Sequence, residues 1–229
     1  MDVLKRILFS KKTILGAGLL LLFIFCLYPF IVLLWKILFP GGNFSLNYFE
    51  NVLASKSTLV ALKNTLWVSL GTCLMSTFVA LPLSWLLTRT NIPMMAKWRS
   101  WFCLPYAIPP YIGAIAWIYL ANPSNGILNN FLGTGFLNVY SNVGLIWVMG
   151  SFFYTFVLLS LLAALDRMDP SLEEAARLSG AGPFRVFFQI TVPIVFPSLM
   201  SGMLLVLLAA AASFGVPALI GNPAGIYLV

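Results

Sequence analysis

An all-α integral membrane protein, a bundle of several spanning helices with a cytoplasmic amino terminus, is the fold class this sequence predicts. Three observations carry the prediction. Of 229 residues, 61% are hydrophobic and only 8% charged, too apolar a balance for a water-soluble domain. Five apolar segments approach the roughly 20 residues that a helix needs to cross a bilayer. Ten of the thirteen Lys and Arg residues, all but Lys36, Lys56 and Lys63, gather on one inferred side of those segments, as cytoplasmic loops do.

The same composition excludes several classes. A net charge of +7 suggests nucleic acid in a soluble chain, but here the basic residues stand at segment ends, where they set topology. Cys26, Cys73 and Cys103 lie in or beside apolar runs without C-x-x-C spacing, so they read as small hydrophobes. With no histidine and no cysteine cluster, no metal site is expected.

The first span is expected at 14–35, after Lys5, Arg6, Lys11 and Lys12. Its run is too long for a signal peptide and lacks a small-x-small cleavage site. Pro29 should kink it, and Lys36 can snorkel at its outer end. Pro40, Gly41 and Gly42 break the chain, after which Tyr48, Phe49, Val52 and Leu53 mark the apolar face of a short helix at the outer interface. The second span, 66–87, has Trp67 and Trp85 near its ends and stops at Arg89.

A basic inner connection with Lys97 and Arg99 leads to the third span, 101–120, where Pro105, Pro109 and Pro110 make a straight helix improbable. Broken helices can line a substrate path, but no intramembrane charge accompanies this break, which favours packing. Residues 121–142 carry no charge and contain the turn dipeptide Asn125-Gly126, as an outer loop would. The fourth span, 143–165, returns the chain inside at Asp166 and Arg167, and the fifth, 194–216, takes it out again.

Between the last two spans lies the one long polar interruption, 166–193. Asp169-Pro170 is a helix start, with Ser171 and Glu174 offering a competing capping box. Glu173 and Glu174 fall in the first turn, and Glu173 precedes Arg177 by four residues, the favoured order for an ion pair. Ala175, Ala176, Ser179 and Gly180 have almost no bulk, so this helix can enter a narrow cleft. Gly180, Gly182 and Pro183 end it and start a second, amphipathic helix with Phe184, Phe187, Phe188 and Val192 on one face. The plain alternative is an ordinary cytoplasmic helical hairpin.

Glu174, Ala175 and Ala176, then Gly180, Ile190 and Pro193, have the spacing of a six-position pattern. The pattern resembles the cytoplasmic EAA loop of the permease subunits of binding-protein-dependent ABC importers. ALKNTLWVSL at 61–70, PYAIPPYIGAIAW at 105–117 and SFGVPALIG at 213–221 look most like the iron(III) import permeases and the neighbouring phosphonate, polyamine and thiamine group. The resemblance implies two permease halves sharing a pathway, an ABC ATPase dimer beneath them, and a soluble binding protein delivering substrate from outside. The chain itself would sit in the inner membrane, bind no cofactor and leave ATP to the partner ATPase.

By the same resemblance residues 170–179 form the coupling helix. Its expected coupling residues are Glu173, Glu174, Ala175, Ala176, Arg177, Gly180, Ile190 and Pro193, with Glu174 meeting a basic group of the ATPase. Family halves usually return to the cytoplasm, which implies a sixth span beyond Val229 and a truncated or amino-terminal piece of a longer permease. The expected function is a permease subunit, with ferric iron as substrate. The alternatives are phosphonate, polyamine or thiamine import, or a membrane scaffold that moves nothing. No G-x-x-x-x-G-K-[ST] phosphate loop is present, so the chain is not expected to be an ATPase. Substrate-contacting residues are not assigned.

Overall fold

The computed structural model describes residues 11–229, with side chains from Thr13 onward. The predicted basic cluster at Lys5 and Arg6 lies outside the described residues. The chain divides into two units that meet in sequence at Leu59 and Val60.

In the first unit, helix α1, Thr13–Leu38, is apolar on all sides, with a mean hydropathy of 2.7 over its best window. It contains the predicted span 14–35. A short helix α2, Asn47–Ala54, follows the Pro40–Gly42 turn, where Gly41 takes a φ of 72°.

The second unit is built around α7, Asn142–Arg167, the most buried of the spanning helices. Helix α3, Lys56–Arg89, is longer than the predicted span and contains it. Helices α4, Met95–Cys103, α5, Pro110–Ala121, and α6, Ile127–Leu132, come next, then α8, Ser171–Leu178, and α9, Pro183–Ala211.

Burial on α9 follows a single stripe, Val195, Leu199, Gly202, Val206 and Ala210, and this stripe faces α7. Gly202 allows the approach: a Cβ there would stand 2.8 Å from the Val157 Cα. In lipid, helices gain little from removing apolar surface from water, so close van der Waals contact across small residues does the holding. A matching stripe on α3, from Thr65 through Ser69, Thr72, Ser76 and Ala80 to Ser84, is buried and small-sided for the same reason.

The third predicted span is not continuous. The segment 95–107 and α5 meet at an angle of 96°, because Pro105, Pro109 and Pro110 remove three backbone donors within six residues. Tyr154 from α7 donates to the Phe102 carbonyl at 2.7 Å, so a side chain supplies a bond beside the break. The predicted outer loop 121–142 also holds more order than expected. Asn129 on α6 donates to the carbonyls of Asn122 and Leu137 and accepts from the Leu137 amide, pinning both flanks of the loop.

The fifth span differs most from the expectation of 194–216. It starts at Pro183, so the second helix of the polar loop and the span are one rod, and it ends at Ala211. A π-turn at Phe187–Thr191 lies within this rod. Three π-turns, Phe23–Leu27, Phe187–Thr191 and Pro217–Gly221, each end two residues before a proline: Pro29, Pro193 and Pro223. A proline ring collides with the carbonyl four residues back, and one widened turn moves that carbonyl aside without ending the helix. Pro29 and Pro193 thus leave their helices continuous through a local widening.

Candidate functional site

The polar loop 166–193 is set by what ends α7 and what starts α8. Asp169 accepts from the Ser171 amide at 2.9 Å, and Pro170 already has helical angles, φ −62° and ψ −23°. Of the two starts open to the sequence, the aspartate cap is the one adopted. The Ser171 amide, with its hydroxyl a lesser contributor, holds the Asp169 carboxyl below the ordinary carboxylate value.

At the other end α8 stops in a glycine-terminated cap. The Ala181 amide donates to the Ala176 carbonyl and the Gly180 amide to the Arg177 carbonyl, both at 3.0 Å, with Gly180 at φ 86°. Nothing lies within 4 Å of where a Gly180 Cβ would stand.

One row of α8 faces inward and the rest stands clear. Ala176 is half-buried, while Glu174, Ala175 and Arg177 are exposed and Leu178 is 90% exposed. Ala175 and Glu174 precede Leu178 by three and four residues, so the three share a face. A bare leucine beside an alanine and a carboxylate, outside the apolar spans, suits contact with another protein better than contact with water.

Glu173 is the correction. The four-residue spacing predicts an ion pair with Arg177, but Glu173 is only 3% exposed and bonds instead to groups in the bundle. Its Oε2 accepts from Arg89 Nε at 2.6 Å and its Oε1 from the Thr191 hydroxyl at 2.5 Å. Arg89 is the last residue of α3, and Thr191 closes the π-turn in α9. One carboxylate therefore joins three helices.

The remaining predicted residues lie at the base of the loop. Ile190 is half-buried and packs against the core, and Pro193 is exposed just past the π-turn. Phe187 meets Trp85 edge to face at 5.6 Å. Beside them Pro82, Leu86, Pro183 and Phe184 complete a fully apolar cleft of about 360 Å³, with Phe184 80% exposed. Arg89, Thr191, Arg99 and Asp166 were not among the predicted site residues. Arg89 carried one signal, a charge at the end of an apolar run, but its partner lies 84 residues away.

Comparison with known proteins places this arrangement. No family model matches the chain. In structure, a chain of a bacterial alginate ABC transporter, solved with an alginate-loaded periplasmic protein, superposes with a TM-score of 0.77 over 98% of this chain and 80% of that one, at 21% identity. A second alginate importer structure gives 0.70 over 91% and 75%. The fold is that of an ABC-importer permease.

Relatives in sequence are described as permeases. The sn-glycerol-3-phosphate transport system permease protein UgpA of Salmonella choleraesuis is 34% identical over 114 residues, 44% of this chain and 36% of its own length. UgpA of Shigella flexneri is 28% identical over 173 residues, 69% of this chain and 55% of its own length. A protein described as a probable ABC transporter permease in Mycoplasma pneumoniae is 27% identical over 222 residues, 90% and 68% of the two lengths. This permease-fold chain thus spans about a third to a half of the UgpA sequences it matches. It is a multi-pass protein of the bacterial plasma membrane.

Proposed function

We propose that the chain is a permease subunit of an ATP-driven importer, lining part of a translocation pathway and receiving its drive through α8. The observation that carries this reading is α8 itself: a short capped helix presenting Glu174, Ala175 and Leu178 outward from the end of a membrane bundle. Its partners are an ABC ATPase dimer, a second permease half and a soluble substrate-binding protein. The alginate structure with its periplasmic protein and the permease relatives support that set. The chain binds no cofactor, and ATP is used by the ATPase.

On this reading Glu174 meets a basic group of the ATPase, Ala175 and Gly180 permit close docking, and Arg177 lies at the edge of the contact. Ala176, Ile190 and Pro193 hold the helix in place. The substrate belongs with sugars and sugar-like solutes. The relatives described above are named for sn-glycerol-3-phosphate and for alginate, both oxygen-rich and anionic. None is named for iron, phosphonate, polyamine or thiamine, so the expected ferric iron has no support among them.

The test is to purify the chain in mild detergent with its co-expressed ATPase, then reconstitute the full system in vesicles. Wild type should capture the ATPase and import a labelled polyol phosphate or oligosaccharide with ATP, while Glu174→Arg loses capture. ATPase capture without substrate-stimulated turnover would favour a scaffold, and import of ferric citrate in place of the sugars would overturn the substrate class.

A further inference from the structure

We propose that Glu173 is a positioning residue that transmits movement rather than a docking contact. With Arg89 and Thr191 it forms a buried joint through which motion of α8 reaches α3 and α9 together. The inference rests on the reading that α8 takes its push from an ATPase.

The geometry separates two neighbouring glutamates. Glu174 is exposed and available to a partner, whereas Glu173 is turned inward with both carboxylate oxygens engaged within the chain. Arg89 is largely withdrawn too, its side chain 11% exposed. Hydrogen bonds to an ionised group are about twice as strong as neutral ones, and a buried pair is poorly screened by salt. Such bonds bear displacement where exposed side chains would simply swing away.

The attachment points suit transmission. Arg89 terminates α3, so a pull on it acts along a rod of 34 residues. Thr191 sits at the π-turn just before Pro193, where α9 lacks the regular bonding pattern and bends most easily. The contact to Arg89 is a single bond from Nε, and Arg89 Nη2 is buried without an acceptor among the described residues. A one-pronged bond lets the carboxylate pivot, unlike the two-pronged grip of Arg99 on Asp166. The joint therefore keeps α8 attached while its angle changes.

The test uses the reconstituted system with Glu173→Gln and Thr191→Val. The amide of Glu173→Gln retains shape and some hydrogen bonding but loses the charge. Both variants should capture the ATPase as wild type does. Glu173→Gln should import about five- to tenfold less solute per ATP hydrolysed, the low end of typical coupling between sites, and Thr191→Val should lose less in the same direction. A wild-type ratio in Glu173→Gln, or loss of capture like that of Glu174→Arg, would overturn the proposal. Should Glu173→Gln not be recovered folded, the ratio in Thr191→Val decides in the same way. Hydrogen exchange on the purified chain separates this from the parent reading. Protection of the α8 amides should fall in Glu173→Gln and persist in Glu174→Gln, even if no ATPase is ever captured, and unchanged protection in both would sink the joint.

Discussion

Arg99 grips Asp166 through two parallel bonds of 2.9 Å, Nη1 to Oδ2 and Nη2 to Oδ1, while its Nε donates to the Leu87 carbonyl at 3.1 Å. One guanidinium thus ties α4 to the ends of α3 and α7, just before the polar loop. The Arg89–Glu173 pair lies at the same end of α3, and the two bridges are expected to differ sharply in weight.

Arg99 and Asp166 are partly exposed, so their pair should contribute only about 0–1 kcal/mol. Arg99→Lys removes the fork and should lower stability by that little. Arg89→Ala strands the buried Glu173 charge and should cost about 3–5 kcal/mol. Unfolding by a denaturing detergent titrated into mild-detergent micelles would rank them. Equal losses from the two variants would mean that burial does not set the difference.

The α7–α9 contact makes a sharper prediction. A Cβ on Gly202 would press on the Val157 Cα at 2.8 Å, and backbone has no rotamer to yield with. Gly202→Ala should therefore destabilise by about 1–3 kcal/mol through forced separation of the helices. At Gly182, nothing lies within 4 Å of the added atom and the φ of −69° suits any residue, so Gly182→Ala should be near neutral. The same unfolding titration checks both.

The spans were legible because lipid demands long apolar runs, and α1, α3 and α7 each contain the stretch that hydropathy marks. The proline-rich break was legible too, since three missing donors between Pro105 and Pro110 leave few helical options. The start of α9 was not. Gly182 and Pro183 read correctly as a helix start, but Pro193 also reads as a boundary, and only the π-turn before it shows why the rod runs on. Glu173 was misread for a different reason. Local spacing offers Arg177 as a partner, whereas Arg89 is brought in by tertiary packing that no short pattern encodes. The cap at Asp169 and the stop at Gly180 are closed by bonds spanning no more than five residues, and both were readable.

The Asp169 cap carries a pH dependence whose sign is fixed by its lowered pKa. A carboxyl depressed in the folded state stabilises fully above its ordinary value of 3.8 and loses that contribution as pH falls through the lower folded value. The Ser171 amide resonance should therefore hold steady from neutral pH to the ordinary carboxylate value and move only below it. In Asp169→Ala the acid-dependent movement should vanish, with Asp169→Asn keeping most of the cap but none of the titration. A Ser171 shift that titrates near neutrality in the wild type would assign the effect to another group.

Gly180 allows backbone and bulk to be told apart. Its φ of 86° is one that a β-branched residue resists and that asparagine adopts more readily, yet open space surrounds the Cβ position. Gly180→Val should fray the last turn of α8, seen as faster exchange of the amides at positions 180 and 181 that close the cap. Gly180→Asn should keep much of that protection while still placing a side chain on the proposed docking face. If the residue matters through close approach, both variants lose ATPase capture. If it matters through the helix stop alone, Gly180→Asn captures the ATPase and Gly180→Val does not. The first outcome is expected, because Ala175 on α8 and Gly180 just past its end are exposed and have minimal side chains.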